Sequence, residues 1–180
     1  MNIHLIGYRG TGKTSVAELL AARLGWTWFD ADVELERQAG RTIAEIFAEE
    51  GEGAFRDLES QVLRELCQRE RIVLGVGGGG VLREENRAVL RASGKVVWLQ
   101  ASPEAIYRRI QQDPTTASRR PNLTNTGGLL EVERLLEVRT PIYRQSAHLE
   151  VDTEGKSPAE VADEILARLD PPPGSLDMPS

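Results

Sequence analysis

Residues 7–14 read Gly-Tyr-Arg-Gly-Thr-Gly-Lys-Thr, the spacing G-x-x-x-x-G-K-[ST], between a short apolar run at Asn2 to Ile6 and a segment of helical period. No other feature narrows the choice of fold as far, because this spacing needs a strand, a tight glycine loop and a helix whose N-terminus faces one point. Glycines let such a loop turn backbone N–H groups inward on phosphate oxygens, and the helix adds the positive end of its dipole. Gly10, Thr11, Gly12, Lys13, Thr14 and Ser15 are therefore expected to hold ATP, with Lys13 reaching the β- and γ-phosphates and the Thr14 hydroxyl ligating Mg2+. A glycine-rich turn that happens to contain lysine is the competing reading, and the flanking strand and helix weigh against it.

Downstream, Val16, Leu19, Leu20 and Leu24 share one helical face, and Gly25 follows where a helix would end. Short apolar runs at Trp26 to Phe29, Ile72 to Val76, Val96 to Leu99 and Leu149 to Val151 alternate with further helical segments. That alternation predicts an α/β fold in three layers, a parallel sheet with helices on both faces. Thr42 with Glu45, and Ser157 with Glu160 and Pro158 between them, are capping boxes that start helices. Gln111 to Gly128 is a polar stretch too long for a mere connection, which predicts a mobile lid. A chain of 180 residues suits one domain, expected over residues 1–170, with a Pro-rich flexible tail at 171–180.

Composition excludes several partners. A net charge of -6 argues against nucleic acid, and no long uncharged apolar run exists to enter a membrane. Cys67 is the only cysteine, and His4 and His148 are the only histidines, so neither a disulfide nor a Cys/His metal site is expected. With no export signal evident, a cytoplasmic location is expected.

Asp30-Ala31-Asp32 directly follows the second apolar run, at the carboxyl edge of the sheet where ligands of such folds bind. Two carboxylates there could steer Mg2+ and accept a proton, and they could equally be turn-forming or helix-capping aspartates. The third run leads into Gly75-Val76-Gly77-Gly78-Gly79-Gly80 without an aspartate at its end, which disfavours a switch GTPase. The glycines let backbone approach a ligand closely, unless the run is a linker.

Gly10-Thr11-Gly12-Lys13-Thr14, Asp30-Ala31-Asp32, Phe55-Arg56 with Glu59, Gly77-Gly78-Gly79, Arg120-Pro121 and Arg139-Thr140-Pro141-Ile142-Tyr143 stand in the order of the shikimate kinase family. The chain resembles that family from Met1 to about Leu169. The resemblance implies a P-loop kinase fold with five parallel strands in the order 2-3-1-4-5, and ATP-dependent phosphorylation of the 3-hydroxyl of shikimate in aromatic amino-acid biosynthesis. By the same resemblance, Asp32 is the base and Asp30 sits near Mg2+ through water. Arg56, Arg139, Gly77, Gly78 and Gly79 bind shikimate, and two planar guanidiniums suit a carboxylate. Glu59 would orient Arg56, unless the two form only a solvated helix-face pair. Arg120 in the lid reaches the transferring phosphoryl group, and Arg109 contacts adenine. Lys156 stands in the adenine-side loop where arginine is common, and Gly80 where Ala or Ser is common. A monomer acting on small molecules is expected. The rivals are a gluconate or nucleoside monophosphate kinase of the same fold, and a non-catalytic relative that only binds nucleotide.

Overall fold

The structure, a computed structural model, describes residues 1–113 and 127–169. Arg119, Arg120, Pro121, most of the expected lid and the Pro-rich tail lie outside the described residues. Five strands, β1 (Asn2–Ile6), β2 (Thr27–Asp30), β3 (Ile72–Gly75), β4 (Gly94–Gln100) and β5 (Leu149–Asp152), form one parallel sheet in the order β2-β3-β1-β4-β5. The strands begin and end within two residues of the sequence expectation. Trp26 is left out of β2 because its N–H is taken by the Ala21 carbonyl at the end of the preceding helix.

Period-two alternation along the strands divides the core. Ile3 and Leu5 of β1, with Val73, Val97, Leu99 and Val151, face α1 (Lys13–Leu24) and its buried Val16, Ala17, Leu20 and Ala21. Ile6, next after Leu5, faces the other way with Leu74, Val96 and Trp98, toward α2 (Ala31–Ala39), α3 (Ile43–Cys67) and α4 (Glu84–Ser93). Each fully buried Leu or Ile in these layers contributes about 1.5–3 kcal/mol. A smaller cluster of Tyr8, Ile106 and Val132 ties the P-loop to α5 (Pro103–Gln112) and α6 (Gly128–Ser146). The last helix, α7 (Pro158–Arg168), covers β5 and α1.

Local signals act where the chain places them. Thr42 and Ser157 each accept from the N–H of the glutamate three residues on, and that glutamate's side chain returns to the cap residue's own N–H, so both capping boxes are formed. Gly51, at φ 85, breaks α3 into two helical pieces, and Phe55, Arg56 and Glu59 belong to the second. The helices flanking the expected lid run one or two residues further than the sequence suggested, leaving Asp113 to Gly127 between them. Gly80 has a reason to differ from Ala or Ser: a Cβ there would stand 2.5 Å from Cγ1 of the stiff, buried Val76.

Candidate active site

The carboxyl ends of β1, β2 and β3 open on a cleft of about 550 Å³. Its lining includes Gly10, Gly12, Lys13, Thr14, Ser15, Asp30, Asp32, Gly77, Gly78 and Arg109. Residues distant in sequence meet here because all three strands are parallel and finish on the same edge. Gly7 lets the P-loop leave β1 at φ 142 with its Cα against β4, where a Cβ would come within 2.5 Å of the Leu99 carbonyl. The Lys13 ammonium donates to the carbonyls of Gly7 and Tyr8 at 2.7 and 2.9 Å, and the buried Thr11 hydroxyl donates to Tyr8 at 2.8 Å. The Thr11 side chain is thus used inside the loop, and only its backbone is left to meet a ligand.

The two aspartates stand on different backbone: Asp30 ends β2 in extended conformation and is the N-cap of α2, whereas Ala31 and Asp32 already belong to the first turn of that helix. Oδ1 of Asp30 accepts the N–H groups of Asp32 and Val33 at 2.8 and 3.2 Å, while Oδ2 accepts from the Thr14 hydroxyl at 3.4 Å. Capping and metal steering, posed as alternatives, are compatible uses of two oxygens on one carboxylate. Burial, and then the neighbouring Asp32, push the Asp30 carboxyl above its usual range, against the backbone hydrogen bonds and Lys13 that pull it down. Among the described residues no group of three or more His, Cys, Asp or Glu could hold an ion. Thr14 and Asp30 nevertheless offer the hard oxygens that Mg2+ takes when nucleotide phosphates and water complete its shell.

Two cations converge on the glycine segment from different helices. Arg56 of α3 is 6% exposed and donates from Nη1 to Oε1 of Glu59 at 2.8 Å, with Glu59 itself 2% exposed. The pair is buried, so the solvated alternative does not hold. Arg139 of α6 is 5% exposed, its guanidinium 5.8 Å from the centre of the Tyr8 ring. A Cβ on Gly79 would overlap the Arg56 guanidinium, and one on Gly78 would stand 3.3 Å from Nη1 of Arg139. The segment is no linker: only bare backbone leaves room for both arginines. Among the described residues no carboxylate pairs with Arg139, so a buried charge stands ready for an anion.

On the other side of the P-loop, Arg109 donates to the carbonyl of Gly10 at 3.2 Å and to Oγ1 of Thr153 at 3.1 Å, whereas Arg108 is exposed. A second groove of about 300 Å³ runs between the P-loop and Thr153, Lys156 and Pro158. Its position continues the phosphate cradle toward the end of β5. The sequence reading counts Tyr143 in a motif but gives it no role, and its hydroxyl donates to the Gly78 carbonyl at 2.6 Å. An aromatic with a hydroxyl on an apolar helix face was the available signal, since a buried phenol needs a partner.

Comparison with known proteins agrees with this geometry. A sequence model described as "Shikimate kinase" matches residues 9–170. The chain is 42% identical over 177 residues to a shikimate kinase of Rhodopirellula baltica, covering 98% of this chain and 95% of that one. It is 43% identical over 169 residues to a shikimate kinase of Symbiobacterium thermophilum, covering 94% and 96%. Among solved structures, the shikimate kinase of Acinetobacter baumannii in complex with shikimate superposes with a TM-score of 0.86 at 39% identity, covering 92% of this chain and 90% of that one.

Proposed function

The chain belongs to the shikimate kinase family, and we propose from the geometry of its cleft how it carries out ATP-dependent phosphorylation of shikimate. The observation that carries the reading is the convergence of Arg56 and the carboxylate-free Arg139 on the glycine segment at the cleft's edge. Two guanidiniums fit one carboxylate, and shikimate carries one on a ring that then lies over Gly77, Gly78 and Gly79.

The triphosphate occupies the P-loop, where backbone N–H groups of Gly10 to Ser15 face its oxygens. Lys13 transfers its hydrogen bonds from the loop carbonyls to the β- and γ-phosphates and stabilises the charge that grows during transfer. Thr14 and Asp30 would hold Mg2+, the aspartate through water, and the metal would supply positive charge against the phosphates. Asp32 accepts the proton of the 3-hydroxyl as that oxygen attacks the γ-phosphorus. The bond from the γ-phosphorus to the bridging oxygen breaks, leaving ADP and shikimate 3-phosphate. Adenine lies in the groove between Arg109 and the Thr153–Pro158 loop. Arg120, outside the described residues, supplies a further guanidinium to the phosphoryl group.

Every residue in this scheme comes from one chain, so a monomer suffices. Among the described residues no helix is long and apolar enough to cross a membrane. Gluconate is also a carboxylate, and a nucleoside monophosphate offers a phosphate, so the acceptor is tested directly. ADP release is followed with shikimate, gluconate, a nucleoside monophosphate and water alone. Rapid Mg2+-dependent turnover is expected with shikimate only, and faster turnover with another acceptor would reassign the substrate.

A further inference from the structure

Tyr143 lies on α6 with 0% exposure and packs on Trp98 with ring centres 5.7 Å apart. Its hydroxyl bond to Gly78 completes a series. Along the glycine segment three successive carbonyls are each anchored: Gly77 by the Gly80 N–H at 2.9 Å, Gly78 by the Tyr143 hydroxyl at 2.6 Å, and Gly79 by the Leu82 N–H at 3.1 Å. Only the middle anchor is a side chain, reaching across 65 positions of sequence.

A peptide unit is planar and trans, so its carbonyl and the next N–H point in opposite directions. Fixing the Gly78 carbonyl therefore fixes the direction of the Gly79 N–H. Glycine backbone is free to rotate about this unit at little steric cost, so an orientation left to the segment itself would be poorly held. Among the described residues no protein acceptor takes the Gly79 N–H. The same two residues, Gly78 and Gly79, carry the Arg139 and Arg56 guanidiniums against their Cα atoms.

We infer that Tyr143 is a positioning residue for the acceptor: by holding the Gly78 carbonyl it aims the Gly79 N–H at the acceptor and keeps the glycine backbone in register with both arginines. This rests on the reading of the cleft as a shikimate site. Tyr143 touches neither substrate nor nucleotide, and acts through the one peptide unit. Such a role affects acceptor binding in the ground and transition states alike, so its loss raises KM for the acceptor while sparing kcat and the nucleotide.

Steady-state kinetics of Tyr143→Phe test this, with Trp98→Leu as a variant that loosens the same packing without removing the hydroxyl. The expected result for Tyr143→Phe is a rise in the shikimate KM of about fivefold to tenfold, with kcat and the ATP KM changed by less than about twofold. Trp98→Leu, assayed below its melting temperature, should leave the shikimate KM near that of the unmodified chain. An unchanged shikimate KM in Tyr143→Phe overturns the proposal, and so does an equal rise in both variants, which would mean general loosening. If the unmodified chain does not turn over shikimate, the reading of the site falls and this proposal with it. A measurement on the unmodified protein needs no variant to fold. In a 15N NMR titration with shikimate the Gly79 amide should be among the most shifted, and a Gly79 amide that does not move would contradict the inference.

Discussion

Thr14 and Asp30 meet at the edge of the cleft, the threonine hydroxyl donating to Oδ2 of the aspartate at 3.4 Å while Oδ1 of the same carboxylate caps α2. One side chain thereby serves both helix stability and the proposed Mg2+ position, and two substitutions separate the roles. Asparagine is as good an N-cap as aspartate, so Asp30→Asn should melt near the unmodified protein yet need a higher Mg2+ concentration for half-maximal ADP release. Asp30→Ala should show the same Mg2+ defect and also lose about 0.5–2 kcal/mol of stability. Paired thermal melts and Mg2+ titrations check this, and an unchanged Mg2+ requirement in both variants would remove Asp30 from the metal's surroundings.

Asp32, in the first turn of α2 and lining the same cleft, is assigned the proton. Asp32→Asn keeps the shape and a hydrogen-bonding group but removes the base, so kcat should fall by about 10²-fold or more. Nucleotide affinity measured by calorimetry should be nearly unchanged. Lost affinity for ATP with Mg2+, beside normal turnover of the bound complex, would make Asp32 a metal-site group instead.

Gly79 is bare because the Arg56 guanidinium rests on it. Gly79→Ala should push Arg56 out of its place against Glu59 and raise the shikimate KM by about tenfold or more, since charge-assisted hydrogen bonds are worth about 1.5–3 kcal/mol. The ATP KM should hardly move. Steady-state kinetics showing the reverse pattern would place Arg56 on the nucleotide side.

How much of this was legible in the sequence follows from how local each signal is. The P-loop, both capping boxes and the strand order either sit within a few residues or come with the family resemblance, and the fold matches them. The aspartate pair stands on the expected edge, but the different backbone of its two members is not legible there: Asp30 ends β2 one residue beyond the expected Phe29 and caps α2, while Asp32 is already helical. The contacts of Gly79 with Arg56 and of Tyr143 with Gly78 cross 23 and 65 positions. Nothing in the local pattern reports which side chain will reach which carbonyl. The Val76 that fills the room beside Gly80 is likewise visible only once the segment is folded.

His4 is fully buried on β1, bonded through Nε2 to Ser93 at 2.8 Å, and its other nitrogen finds no partner among the described residues. Burial, and then nearby His148, lower its pKa from 6.5 to about 4. The folded state therefore binds the proton more weakly than the unfolded chain does. The stability tied to neutral His4 is complete above pH 6.5 and drains away as pH falls from there to about 4. The loss amounts to about 3 kcal/mol at most. Urea unfolding across that window should show a shallower acid decline in His4→Asn than in the unmodified protein, and parallel curves would contradict the assignment.

The most direct measurement of the central claim, that two buried guanidiniums select a carboxylate-bearing acceptor, compares shikimate with its carboxamide as acceptors in ADP-release kinetics of the unmodified chain. The amide keeps the ring, the hydroxyls and the size but removes the negative charge that Arg56 and Arg139 face. The expected kcat/KM for the amide is lower by about 10²–10⁴-fold, the worth of two charge-assisted contacts. Equal kcat/KM for the two acceptors would contradict it.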